Sequence, residues 1–322
     1  DFNQFIISTA LAYLVCLSIL IIYLWRMGEL QLSQSMSHLD KTEIPGLLKY
    51  SLLSFAGMAG LIIIGKVDSI MVTGLLGLTA NAIYTTAFYM ATVIEIPKRA
   101  LMQISMPLIS RAFEKNDLAD IKVIYQKTSI NQFIVGGLIL IGIWANLHNI
   151  FAFMPKGEIY DAGKYVVLII GLGKLLDMVF GPSSEIIVLS KYYAFNIILI
   201  LLLATSIVIA NNLLIPEYGI NGAAIGSALA LILFNFLKYI FIYLKLKMQP
   251  LTWATLKVIV IAGIAVGCNY LIPRIELTFV DLLVRSTAIT GVYASLIIIS
   301  KASPDGNLVF KKALAFVGFN KP

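Results

Sequence analysis

Apolar residues in this chain neither alternate with polar ones nor keep to one narrow stripe. They come in long, nearly continuous runs. A helix rises ~1.5 Å per residue, so crossing a ~30 Å hydrocarbon core takes about 20 apolar residues. Nine runs approach that length, at about 5–25, 50–72, 80–97, 130–153, 164–189, 193–215, 220–244, 254–273 and 279–300. A closed barrel, the other way to span a membrane, would show alternating segments of about 10 residues. The pattern predicts an all-α, polytopic membrane protein with about nine transmembrane helices.

The polar residues between the runs give the orientation. Seventeen of the 24 Lys and Arg fall after runs one, three, five and seven and in the tail after run nine. The opposite loops carry only Lys156, Lys164 and Arg274. The basic side faces the cytoplasm, so the C-terminus is expected there and Asp1 outside. Run 5–25 is too long for a signal-peptide core and lacks a basic start and a cleavage site. Together these predict an N-terminally truncated chain, with an odd number of spans upstream. Within 111–129, Asn116 or Asp117 can cap a helix whose Leu118, Ile121 and Ile124 share one stripe. That helix is expected on the cytoplasmic surface before entering the membrane.

Composition agrees: 59% of residues are hydrophobic and 13% charged, where soluble globular proteins have about 25% charged. The net charge of +7 is spread over helix ends, so nucleic acid is not an expected partner. Cys16 and Cys268 sit in apolar runs with no disulfide or zinc spacing. No nucleophile elbow, metalloprotease, P-loop or dinucleotide motif occurs. The chain is expected to be no enzyme and to hold no metal or organic cofactor. His148, in "WANLHNIFAF", reads as an interfacial histidine.

Four cations remain within or at the edges of the runs: Lys66, Lys174, Lys238 and Arg285. Lys238 and Arg285 lie near run ends and can snorkel to water. Lys174 stands ~15 Å along the helix from Lys164, near the midplane. Asp177 follows at i+3 and can pair with it. A midplane charge costs ~2.5–3.5 kcal/mol on insertion scales, so it must face protein or a wet cavity. Lys174 therefore reads either as a helix-gluing ion pair or as a cavity charge. Lys66 and Asp68 are two apart and point to different faces; Lys66 can snorkel outward. Glu95 can pair with Lys98 or Arg99, and Pro97 should bend its helix. Glu185 follows a Gly181-Pro182 break, where loosened backbone can line a cavity. Gly222, Gly226 and Ala230 recur every four residues, a close-packing stripe that Gly263 and Gly267 repeat.

The stretches "GKVDSIMVTGLLGLTANAIYTTAFYMATVIEIPKRALMQISMPLISRAFEKND", "GLGKLLDMVFGPSSEIIVLSKYY" and "LLIPEYGINGAAIGSALA" resemble bacterial O-antigen and capsule flippases. These move lipid-linked oligosaccharides and belong to the superfamily of the MATE drug antiporters and the lipid II flippase. The likeness covers most of residues 50–245. It implies a two-lobe transporter rocking around a central cavity. Residues 1–25 would then be the last helix of an incomplete first lobe, and 26–49 a cytoplasmic linker. Residues 50–247 would form the six-helix second lobe, 248–302 two additional transmembrane helices and 303–322 a cytoplasmic tail. The implied partners are membrane lipids, the missing N-terminal helices and an undecaprenyl-diphosphate-linked oligosaccharide. The implied location is the bacterial cytoplasmic membrane. On this resemblance Lys66 and Lys174 are candidates for meeting the cargo. Asp68, Glu95, Asp177 and Glu185 would balance charge or bind H⁺ or Na⁺. A drug or cation antiporter is the nearest alternative. A polysaccharide polymerase or ligase fits less well, because the outside loops are short.

Overall fold

The computed structural model describes residues 2–28 and 44–308. Most of the expected linker and tail, residues 29–43 and 309–322, lies outside the described residues. The described chain is helical, with no strand. It falls into two compact units, the chain passing from one to the other between Met58 and Ala59.

The first unit holds α1 (Phe2–Arg26) and the start of α2 (Ile44–Leu76). The second holds the rest of α2, then α3 (Leu78–Thr92), a 3₁₀ turn (Val93–Glu95), α4 (Ile96–Glu114) and α5 (Leu118–Ala145). Short helices α6 (Leu147–Phe153) and α7 (Gly157–Tyr160) lead through a second 3₁₀ turn, Asp161–Gly163, to α8 (Lys164–Val179) and α9 (Ser183–Leu189). The last elements are α10 (Tyr193–Leu246), α11 (Trp253–Leu271) and α12 (Thr278–Ile299).

Five helices among the described residues are long and apolar enough to cross a membrane, and a sixth if the bent pair α8–α9 counts as one span. This is the make-up of a membrane-embedded helical protein.

The breaks follow local chemistry. The 3₁₀ turn stands just before Pro97, whose missing N–H and fixed φ suit the first turn of α4. At Gly181, φ is +52°, a conformation open to glycine; with Pro182 it ends α8, and α9 leaves at 47°. Asp117 is the cap of α5: its side chain accepts from the Asp120 N–H at 2.9 Å. That helix runs unbroken from Leu118 into the apolar segment, so no separate surface helix precedes it. Residues 98–114, expected as loop, are helical in α4 and bury Met102, Ser105, Ile109 and Ala112.

Runs six and seven merge in α10. Its 54 residues would extend ~81 Å if straight, far more than a ~30 Å core. Gly219, at φ 58° and ψ −138°, is non-helical and divides it into arms 193–218 and 220–246. The arms touch through the small-residue stripe. A Cβ on Gly222 would strike the Leu214 carbonyl, and one on Gly226 would come within 3.2 Å of the Ala210 Cβ. Gly263 and Gly267 differ: an added Cβ meets nothing within 4 Å, so the expected close packing is not found there. Gly226→Val is therefore expected to lower stability by ~1–3 kcal/mol through overpacking. Gly263→Ala should leave it level or slightly higher. Thermal unfolding in detergent checks the pair; equal shifts at the two positions would contradict this account.

Within the second unit α8 is central and packs on α3, α5 and α10. Tyr84, Ala87, Val166, Ile170 and Ala223 form its shared core with α3 and α10. α5 carries α11 and α12 on another side, through Phe133, Val258, Ile289 and Tyr293. The Tyr293 hydroxyl donates to the Ile134 carbonyl at 3.0 Å. Residues 248–302 thus pack as part of this same unit.

Candidate functional site

α8 brings Lys174 and Asp177 to the middle of the second unit, yet the two do not pair with each other. Lys174 Nζ lies 3.0 Å from Glu95 Oε2 and 5.2 Å from the Phe88 ring centroid. Asp177 instead takes two cations from other helices. Lys98 of α4 bonds its Oδ2, and Lys238 of α10 lies 3.7 Å from its Oδ1. Lys238 also donates to Ser184 Oγ at 3.0 Å and sits 4.2 Å from the Phe234 ring centroid. Glu185 lies within electrostatic range of both Lys98 and Lys238.

This arrangement corrects several expectations. An i, i+3 pair on α8 would have taken Asp177 from Lys98 and Lys238, and Lys174 from Glu95, leaving each without its nearest opposite charge, which is costly. Partnering across helices neutralises them all. Glu95 joins Lys174, not Lys98 or Arg99. Lys98, expected in a cytoplasmic loop, enters the network with its side chain 23% exposed. Lys238 does not snorkel: it is 2% exposed. Arg285 does not snorkel either. It is buried and pairs with Asp281, one turn earlier on α12, at 3.0 Å.

Asp68 occupies a second polar site nearby. Its Oδ1 accepts from Asn211 Nδ2 at 2.7 Å, and its Oδ2 accepts from the Tyr84 hydroxyl at 2.8 Å and the Ser227 hydroxyl at 2.6 Å. Three helices, α3 and the two arms of α10, thus converge on one carboxylate of α2. No cation lies within ion-pair distance of Asp68 among the described residues, so neutral donors alone satisfy it. Lys66 turns elsewhere. It is exposed and donates to the Tyr89 hydroxyl at 3.1 Å.

A crevice joins the two sites. It has a volume of about 170 Å³, and Asp68, Phe88, Lys174 and Ser227 line it. A smaller recess beside it carries Lys66, Thr85 and Tyr89. Pockets that enclose drug-sized ligands have ~300–1,000 Å³. The crevice alone suits water and ions or the edge of a larger charged group. Lys174 offers an ammonium group to an anion there, and Lys66 offers one in the neighbouring recess; Asp68 offers a carboxylate to a cation. Asp177 is withdrawn from the crevice and serves as the shared anion of Lys98 and Lys238.

Sequence reasoning missed Lys98, Lys238, Tyr84, Asn211 and Ser227. Asn211 carried a usable signal, since an amide within the apolar "VIANNLLI" must find a partner. His148 is exposed. No group of three or more His, Cys, Asp or Glu among the described residues is placed to hold a metal ion.

Comparison with protein-family models, curated proteins and solved structures gave no match. What the fold itself defines is a class: helical proteins with several apolar helices of membrane-crossing length. In this one a balanced set of charges is held between those helices.

Proposed function

We propose that this protein is a lipid-linked oligosaccharide flippase, moving an undecaprenyl-diphosphate-linked glycan outward across the bacterial cytoplasmic membrane. In this reading the chain crosses nine times. The crossings are α1, α2, α3 with the start of α4, α5, the α8–α9 pair, the two arms of α10, α11 and α12. The C-terminus is cytoplasmic. The observation that carries the proposal is the Lys174 ammonium and Asp68 carboxylate on one crevice among apolar helices. A diphosphate and its sugars are rejected by hydrocarbon, and fixed charges beside water lower that barrier. The Lys174–Glu95 pair keeps the cation compensated until an anionic group competes for it.

Lys174→Ala, in cells that make the full protein, is expected to reduce surface glycan at least tenfold at unchanged membrane level. Lys174→Arg should retain most of it. Normal surface glycan in the alanine variant would remove Lys174 from the proposal.

The second reading, an ion-coupled drug or cation antiporter, draws on Asp68, because a carboxylate ringed by neutral donors can also take a cation or a proton. Drug sensitivity of an Asp68→Asn strain with intact surface glycan would favour it.

A further inference from the structure

A polar cleft with an organised floor shares no lining residue with the Lys174 crevice. It is formed where α5 and α6 meet the connection between α11 and α12, on the side whose loops carry few basic residues. Its volume is about 630 Å³, inside the range of pockets that enclose small ligands.

Its floor is rigid. Asp281, 4% exposed, accepts from Arg285 Nε at 3.1 Å and Nη2 at 3.0 Å, from Asn149 Nδ2 at 2.6 Å and from the Ile275 N–H at 3.1 Å. Arg285 Nη1 donates to the carbonyl and the side-chain oxygen of Asn269, at 3.0 and 2.8 Å. One ion pair thereby fixes α6, α11, α12 and the turn between the last two. The pair has no bonding capacity to spare on that frame, so it organises the cleft more than it offers itself to a ligand.

The walls are the reverse. Trp144, His148, Tyr270, Arg274 and Glu276 line the cleft, and none makes a side-chain hydrogen bond among the described residues. The set holds two aromatic faces, a guanidinium, a carboxylate and an imidazole. Charges cancel, Arg274 against Glu276 and Arg285 against Asp281, so nothing selects an anion. Such a lining matches a polyhydroxylated ring. Adjacent hydroxyls, each donor and acceptor at once, pair with carboxylate and guanidinium. The apolar C–H face of the ring stacks on tryptophan or tyrosine, which combine apolar bodies with polar tips.

We infer that this cleft is a binding site for a neutral glycan segment, with Trp144 and Tyr270 as stacking faces and Arg274 and Glu276 as hydroxyl ligands. The inference rests on the flippase reading only for the kind of glycan that would reach it. The cleft is separate from Lys174, so the two can fail independently.

The test uses the full chain in lipid nanodiscs, fluorescently labelled and applied to an array of bacterial oligosaccharides. Wild type is expected to bind a neutral subset. Tyr270→Ala and Glu276→Gln, both at exposed positions, should each weaken that binding at least tenfold, and Lys174→Ala should leave it unchanged. Soluble glycerophosphoethanolamine, the headgroup of a common phospholipid, serves as competitor. Absence of glycan binding overturns the inference, as does binding that survives both cleft variants. Displacement by glycerophosphoethanolamine at equal concentration also overturns it, assigning the cleft to lipid headgroups. Loss of surface glycan export in Lys174→Ala with cleft binding intact would uphold both proposals separately.

Discussion

Asp177→Ala is expected to destabilise the protein by ~3–5 kcal/mol, the range seen when one partner of a buried ion pair is removed. The loss should appear as a sharp fall in the yield of folded protein and in its unfolding temperature in detergent. The reason is the asymmetry of the cluster. Asp177 is the nearest anion to both Lys98 and Lys238, and Lys238 is nearly inaccessible to water. Without the carboxylate, the two ammonium groups keep only the weaker attraction of Glu185, and Lys98 that of Glu95 as well. Adding Lys238→Met should recover part of the stability, because an apolar side chain of similar length replaces the stranded charge. A double variant no more stable than Asp177→Ala would show that the cost lies elsewhere than in the unpaired lysine.

Asp68→Ala should be nearly as damaging, at ~3 kcal/mol. It leaves the Tyr84 hydroxyl, the Asn211 amide and the Ser227 hydroxyl without their acceptor, and each buried unsatisfied donor costs ~1–3 kcal/mol, though not additively. Asp68→Asn separates the structural role from the charge. Its amide oxygen still accepts, and the two hydroxyls can rotate to receive the amide hydrogens, so most of the stability should remain. If the carboxylate also couples an ion, transport falls in Asp68→Asn while the unfolding temperature stays within a few degrees of wild type. Unfolding temperatures that drop equally in both variants would mean that the negative charge itself holds α2 to α10.

Much of this architecture was legible in the chain. Pro97 and Gly181-Pro182 announced helix breaks because a missing N–H and a left-handed φ act locally, whatever surrounds them. Gly222 and Gly226 announced close helix contact, although identical spacing at Gly263 and Gly267 did not produce it. Small residues permit approach; a neighbour must exist to make it. The pairing of charges was not legible. Depth counted along one straight helix put Lys238 at the surface and left Lys98 in a loop. In the fold, α4 continues the helical path past Pro97 and carries Lys98 inward. Lys174 had one carboxylate within a turn, and sequence spacing offered Asp177 as its natural partner. Which of several carboxylates a long, flexible lysine reaches is decided by helices adjacent in space. The cleft above Asp281 and Arg285 was similarly hidden, since its walls come from positions more than 120 residues apart, Trp144 against Tyr270.

The sharing of Asp177 by two lysines bears on how genetics in this region should be designed. A one-residue-at-a-time alanine scan would score Lys98, Lys238 and Asp177 as equally essential, although only the balance among them is at stake. Compensating changes made in the same gene copy, or suppressors selected after the first lesion, resolve what a scan blurs.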